Sequence, residues 1–283
     1  MTRQFEDLSA VLTECAVTDL SLLLAEDYPC YWSTHQPFQH KTWNWFVTDR
    51  GPAGNVYSRG GPYATKWLAL DEHTGTHMDA PCHFVPPPDS GLPDAGPAGA
   101  ITVADVPPAQ LMGPAAVIDA TGVAGTAPGV SPAIGQELVL DWERVNGRLR
   151  AGDVVLFRTG WDRHYLRGAA GEDYLHNVVV TGRRPGWPAP DVPAMELLLR
   201  RGVRCVGIDA PSMGAAHDAR PVHLAGLRAG AVFVECLTRL DLLPARDSWF
   251  CFLPLRVEGG TGAPGRAIAF TPITRPDIAS QAQ

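Results

Sequence analysis

Lysine is nearly absent. Of the 23 basic residues only Lys41 and Lys66 are lysines, and 30 acidic residues leave a formal charge of −7. No basic cluster exists to follow a phosphate backbone or an anionic lipid surface, so nucleic acid and membrane are not expected partners. No apolar run approaches the roughly 20 residues that a membrane helix needs. The six cysteines, at 15, 30, 82, 205, 236 and 251, never stand as C-x-x-C, which excludes a zinc ribbon or a thioredoxin-like pair and leaves free thiols as the expectation. The first ten residues, MTRQFEDLSA, lack the basic-then-apolar order of a secretory signal, so a cytoplasmic location is expected. Internal repeats, low-complexity tails and linkers are also missing. Residues 1–283 therefore read as one domain with a sizeable core.

Glycine and proline are plentiful instead. With 29 and 26 copies they make roughly a fifth of the chain against roughly 12% in average usage, which argues against a helical bundle. Residues 86–114 are the richest stretch and read as an irregular loop, either a lid over a site or a surface connection. Apolar, β-branched runs at 115–122, 153–161, 203–212, 231–237 and 249–257 read as buried strands. One helix is well marked, with Asp191 as N-cap, Pro193 in the first turn, Met195, Leu198 and Leu199 on the apolar face, and Gly202 past the end. The fold class is a β-rich α/β protein.

Chemistry concentrates in Asp71–Phe84, DEHTGTHMDAPCHF. His73, His77, Asp79 and His83 all occupy odd positions, so an extended chain would turn them to one face. A helix would align His73 with His77 but put Asp79 on the opposite side, and Gly75, two threonines and Pro81 disfavour helix. Four residues of strand span about 13 Å, too far for two imidazoles to share an ion, so the backbone must bend; Gly75 permits this. Imidazole and carboxylate donors without thiolate suit zinc, manganese or a similar divalent ion. Such an ion activates water and polarises a carbonyl, which suits amide or ester hydrolysis at neutral pH. Cys82, next to His83, should point away from this face and is not read as a nucleophile.

The run His73-x-Gly75-Thr76-His77-x-Asp79-x-Pro81-x-His83-Phe84 resembles the defining motif of the metal-dependent cyclase-family hydrolases, the kynurenine formamidase and isatin hydrolase superfamily. Gly152–Trp161, GDVVLFRTGW, is similar to that family's GDxVLxRTGW strand, and Gly207–Ser212, GIDAPS, to its GxDxxS turn. His223 and Glu235, which carry no signal by themselves, match its late His and strand-borne Glu. The resemblance implies a swivelling β/β/α fold in one compact domain, assembled as a homodimer or homotetramer. It implies that His73, His77 and Asp79 ligate a first divalent ion, Zn or Mn, and that His223 and Glu235 join Asp79 around a second. His83 is implied as the proton-transferring catalytic residue. The isatin-hydrolase branch carries an amide in place of the late glutamate and holds one manganese, so Glu235 favours the two-ion pattern.

Four of the eight tryptophans fall between residues 32 and 67. Trp32 resembles the family's substrate-contacting aromatic, although Ser33-Thr34-His35 follows it where compact formamidases have Pro-Gly-Asp. The aromatic-rich stretch at about 30–66, within which about 39–66 looks like an insertion, is expected to wall a pocket for an aromatic or cyclic substrate, to pack against another subunit, or both. The expected activity is hydrolysis of a non-peptide C–N bond in a cyclic amide, an imide or an N-acyl arene. A lactonase, a polyketide-type cyclase or dehydratase, and a non-catalytic metal-binding protein are the alternatives.

Overall fold

The computed structural model of the chain describes residues 8–9, 11–47 and 61–273. Its strands are β1 (Cys15–Asp19), β2 (Gln39–Val47), β3 (Gly61–Ala69), β4 (His77–Asp79), β5 (Met112–Asp119), β6 (Ala133–Ile134), β7 (Val154–Arg158), β8 (Ala189–Pro190), β9 (Cys205–Ile208), β10 (Val232–Glu235), β11 (Ser248–Pro254) and β12 (Gly262–Pro272). The longer helices are α1 (Gln136–Asn146), α2 (Val192–Arg200) and α3 (Arg220–Arg228).

Seven strands close a mixed barrel in the order β12-β11-β5-β7-β9-β10-β4, because β12 pairs with β11 along one edge and with β4 through Gly262–Pro264 on the other. The outer strand β1 continues the sheet beyond β12. Strands β5, β7, β9 and β10 run parallel and carry the helices, which explains their continuous apolar sequences: both faces are buried. Alternation sorts their side chains. Val154, Leu156, Val232 and Val234 fill the barrel, while Val155, Phe157 and Phe233 pack beneath the helices. Each such side chain, fully buried, contributes about 1.5–3 kcal/mol.

Helix α2 follows its sequence signals. Asp191 Oδ1 accepts the Ala194 N–H at 2.8 Å, Met195 and Leu198 are buried, and Gly202 ends the turn at φ +85°.

One expectation needs correction, and two left open are narrowed. The extended run from His73 to His83 is strand only over β4; Glu72 and His73 form a turn, residues 74–76 bend with Gly75 at φ +61°, and Pro81–His83 is a 3-10 turn. A straight strand could not bring the donors together, so the chain bends on both sides of Asp79. The stretch 86–114 is not a lid. None of it lines the cavity described below; it runs through three short 3-10 turns, is anchored by buried Val103, Val106 and Leu111, and is tied to α3 through Asp94 with Arg220 and Arg228. The aromatic stretch divides: Trp32 lines the cavity described below. Phe38 is buried, and Trp43, Trp45, Phe46 and Trp67 lie exposed on the β2–β3 ribbon; residues 48–60 of the expected insertion lie outside the described residues.

Candidate metal centre and cavity

Strand register assembles the site. In the antiparallel pair β10–β4, Glu235 stands opposite His77 and Phe233 opposite Asp79. Met78 and Val234 enter the barrel core, so His77, Asp79 and Glu235 share the helix-side face. Helix α3 adds His223 from above, with the Phe84 ring stacked on it at 4.1 Å. His73 arrives from the turn before β4, and Gly262, opposite Asp79 on β12, leaves room for its ring: a Cβ at 262 would lie 2.5 Å from His73 Cε1. Gly262→Ala is therefore expected to displace His73 and weaken metal binding about 10- to 100-fold, as loss of a ligand's supporting partner does. Competition with a chelating dye would measure it; unchanged affinity would show that the ring is free to shift.

Each imidazole is oriented by its second nitrogen. His77 Nδ1 donates to the Gly75 carbonyl and His223 Nδ1 to the Ala219 carbonyl, both at 2.7 Å, so each turns the Nε2 lone pair inward. Thr261 Oγ1 donates to Glu72 at 2.7 Å and accepts from His73 Nε2 at 3.3 Å, which leaves His73 Nδ1 facing Asp79 Oδ1 at 2.9 Å. His77 Nε2 lies 3.5 Å from Asp79 and 3.6 Å from Glu235; His223 Nε2 lies 3.4 and 3.3 Å from the same pair. Lone pairs thus converge on carboxylate oxygens, an arrangement that repels itself unless a cation lies among them. Asp79 Oδ2 is buried and has no hydrogen-bond partner. The residues fit a divalent metal.

Charge behaves accordingly. Burial disfavours protonation of His223, yet hydrogen bonds to Asp79 and Glu235 push its pKa up to about 10, and His77 is raised well above its ordinary value against the same burial. Burial would raise the Asp79 carboxyl, but His83, His223, His73 and His77 hold it well below the usual carboxylate range. The carboxylates demand positive charge. His83 behaves differently: burial, with repulsion from the neighbouring histidines, drives it down to about 3 although Asp79 attracts the proton. Its ring lies 4.0 Å from that of His73.

Two donor groups share Asp79: His73, Asp79 and His83, and His77, Asp79 and Glu235, each with ligand atoms within 4.8 Å of one another. They open into a cavity of about 290 Å³ walled by Trp32, Phe84, Tyr174, Leu175 and Pro211. Trp32 is braced edge-on by buried Trp187, with ring centroids 6.3 Å apart.

The Cyclase family model matches residues 18–215. The chain belongs to the cyclase family. An isatin hydrolase from Roseibium aggregatum is 34% identical over 224 residues, covering 76% of this chain and 78% of that protein. A kynurenine formamidase from Salinibacter ruber is 33% identical over 203 residues, covering 71% and 77%. The crystal structure of an isatin hydrolase bound to the product analogue thioisatinate superposes with a TM-score of 0.77 at 26% identity, covering 96% of this chain and all (100%) of that one. The relatives are hydrolases acting on non-peptide C–N bonds, and this cyclase-family chain is an enzyme of that class.

In this cyclase-family site the structure brings together all five expected ligand residues with His83, and places Trp32 in the same cavity. Sequence reasoning missed His35, Tyr174 and Ser212, which line the cavity from distant segments. It also gave no role to Asp209. That carboxylate accepts the Thr159 and Gly160 N–H groups, each at 2.8 Å, and clamps the end of β7 to the 209–214 loop. Met213 N in that loop then donates to Glu235 Oε1 at 2.5 Å. Burial pushes Asp209 up to about 6. Cys82 does point away, toward the Gly260 carbonyl. Among the described residues no helix is long and apolar enough to cross a membrane.

Proposed function

We propose that this enzyme hydrolyses a non-peptide C–N bond in a neutral aromatic cyclic amide or N-acyl arene. The observation that carries the reading is a buried His/Asp/Glu centre at one end of an aromatic cavity into which no lysine or arginine of the described residues projects. The relatives named isatin hydrolase and kynurenine formamidase support a C–N bond as the target. Among the described residues a zwitterionic amino-acid substrate would find no cationic partner for its carboxylate outside the histidines, which favours a neutral bicyclic ring.

His73, His77, Asp79, His223 and Glu235 would hold the metal, Zn or Mn, and sharing of Asp79 between two donor groups supports two ions. A divalent ion there supplies a Lewis acid and lowers the pKa of water toward neutrality. His83, roofed by Phe84 and the His73 ring, is placed to carry a proton to the departing nitrogen. Trp32 and Phe84 hold the substrate ring. Trp32→Ala is expected to raise KM about tenfold with kcat nearly kept, the effect of losing an aromatic contact and its buried area; steady-state kinetics check it.

Metal analysis by mass spectrometry, followed by a screen of isatin, lactams, N-formyl anilines and lactones, tests the reading. Turnover of a lactam or formyl anilide that requires added metal is expected. Turnover of lactones alone would move the activity to C–O bonds, and none at all after metal loading would remove the hydrolase assignment.

The β2–β3 ribbon supports self-association. Its strands pair only with each other among the described residues, Trp45 and Phe46 are 64% and 60% exposed, and an isolated ribbon is marginally stable in water. Lys41 pairs with Glu26 of the same chain, but the ribbon also carries Lys66 and no acidic residue in its strands, whereas the chain is acidic, so a second copy is the complementary partner. Trp45→Ser with Lys66→Glu is expected to convert an oligomer to monomer in sedimentation. A wild-type monomer at every concentration would exclude this.

A further inference from the structure

One imidazole in the cavity lies outside the metal cluster. His35 closes a turn in which its backbone N–H donates to the Trp32 carbonyl at 2.8 Å, and its ring stands 6.5 Å from the Trp32 indole. Its Nδ1 faces Asp71 Oδ2 at 3.3 Å, and Asp71 Oδ1 accepts the His73 backbone N–H at 2.8 Å. His35 is thus tied on one side to the aromatic wall and on the other to the segment that carries the first ligand.

Chemistry fixes what His35 presents. A carboxylate only accepts hydrogen bonds, so the Nδ1 that faces Asp71 is the donor and Nε2 is the nitrogen left for a bound molecule. Of the other polar groups of the cavity, His83 is assigned to proton transfer and the rest are poorer acceptors or already engaged. Ser212 Oγ is paired with Glu235 and the Gly214 N–H, the Tyr174 hydroxyl is buried, and the thiols of Cys30 and Cys236 accept weakly. His35 Nε2 is therefore the strong acceptor that a bound molecule meets beside Trp32.

We propose that His35 is a specificity-determining residue whose Nε2 accepts the N–H of a secondary amide, so that the site prefers amides with a free N–H to N-alkylated amides. The proposal rests on the hydrolase reading above and names the feature of the substrate that selects it. Asp71 is a positioning residue for that hydrogen bond.

The test uses the full-length, metal-loaded protein with isatin and N-methylisatin. Wild type is expected to favour the N–H compound in kcat/KM. His35→Ala should lower kcat/KM for isatin about three- to tenfold more than for N-methylisatin, the worth of one neutral hydrogen bond. His35→Gln, whose amide oxygen can accept, should restore part of the loss. A purely structural role would lower both compounds alike. Dissociation constants for the same pair, from titration calorimetry, keep the result independent of turnover: an enzyme that binds but does not hydrolyse them refutes the activity while still reading the hydrogen bond. An isatin to N-methylisatin ratio that is the same in wild type and His35→Ala, in Kd and in kcat/KM, overturns the proposal.

Discussion

Asp79→Asn is expected to remove bound metal and turnover together. Asp79 contributes oxygens to both donor groups, lies within 3.5 Å of ligand nitrogens from His73, His77 and His223, and is 1% exposed. The amide keeps the shape but loses the negative charge, and its NH2 cannot ligate. Loss of a supporting partner costs about 10- to 100-fold in metal affinity or activity; loss of a shared ligand must exceed that. A fall in kcat/KM of more than about 100-fold is expected, with metal below stoichiometry by mass spectrometry and an unchanged far-ultraviolet circular dichroism spectrum. A variant that keeps both its metal and its rate would dismiss Asp79 as the centre of the site.

His83→Ala separates proton transfer from ligation. The ring is packed against His73 and Phe84 and points into the cavity, and a positioned general acid or base contributes about 100- to 10,000-fold. The expected result is a loss of that size with the metal content intact. His83 also offers a ring nitrogen within 4.8 Å of ligand atoms of His73 and Asp79. Metal loss in parallel with the rate would make it a ligand, and full activity would remove it from the mechanism.

Much of the centre was legible because four of its donors lie within eleven residues of sequence, His73 through His83, with a spacing that few structures other than a metal site require. Helix α2 was legible for a local reason as well, since its cap, apolar face and terminal glycine act within one segment. The extent of the ligand strand was not. Period-two reasoning placed four donors on one face, but only His77–Asp79 is strand, and the bend at Gly75 with the 3-10 turn at Pro81 aims His73 and His83. The aromatic stretch stayed open because tryptophans look alike in sequence whether they wall a cavity or cover a ribbon; Trp32 does the first, while Trp45 and Trp67 are exposed.

By itself the sequence determined the donor set, the acidic balance with its scarcity of lysine, the β-rich fold class and, through its motif, the family. Only the tertiary structure decided how the donors meet. Thr76 and Cys236, 160 residues apart, are joined by a 2.6 Å hydrogen bond beside the site, and the β4–β10 register sets His77 opposite Glu235. The Gly75 and Ala219 carbonyls choose the nitrogen that each histidine turns inward, and Gly262 clears the space for His73. These are contacts between segments remote in sequence, where one residue of slippage would reverse every side chain on a strand, and no local pattern encodes them.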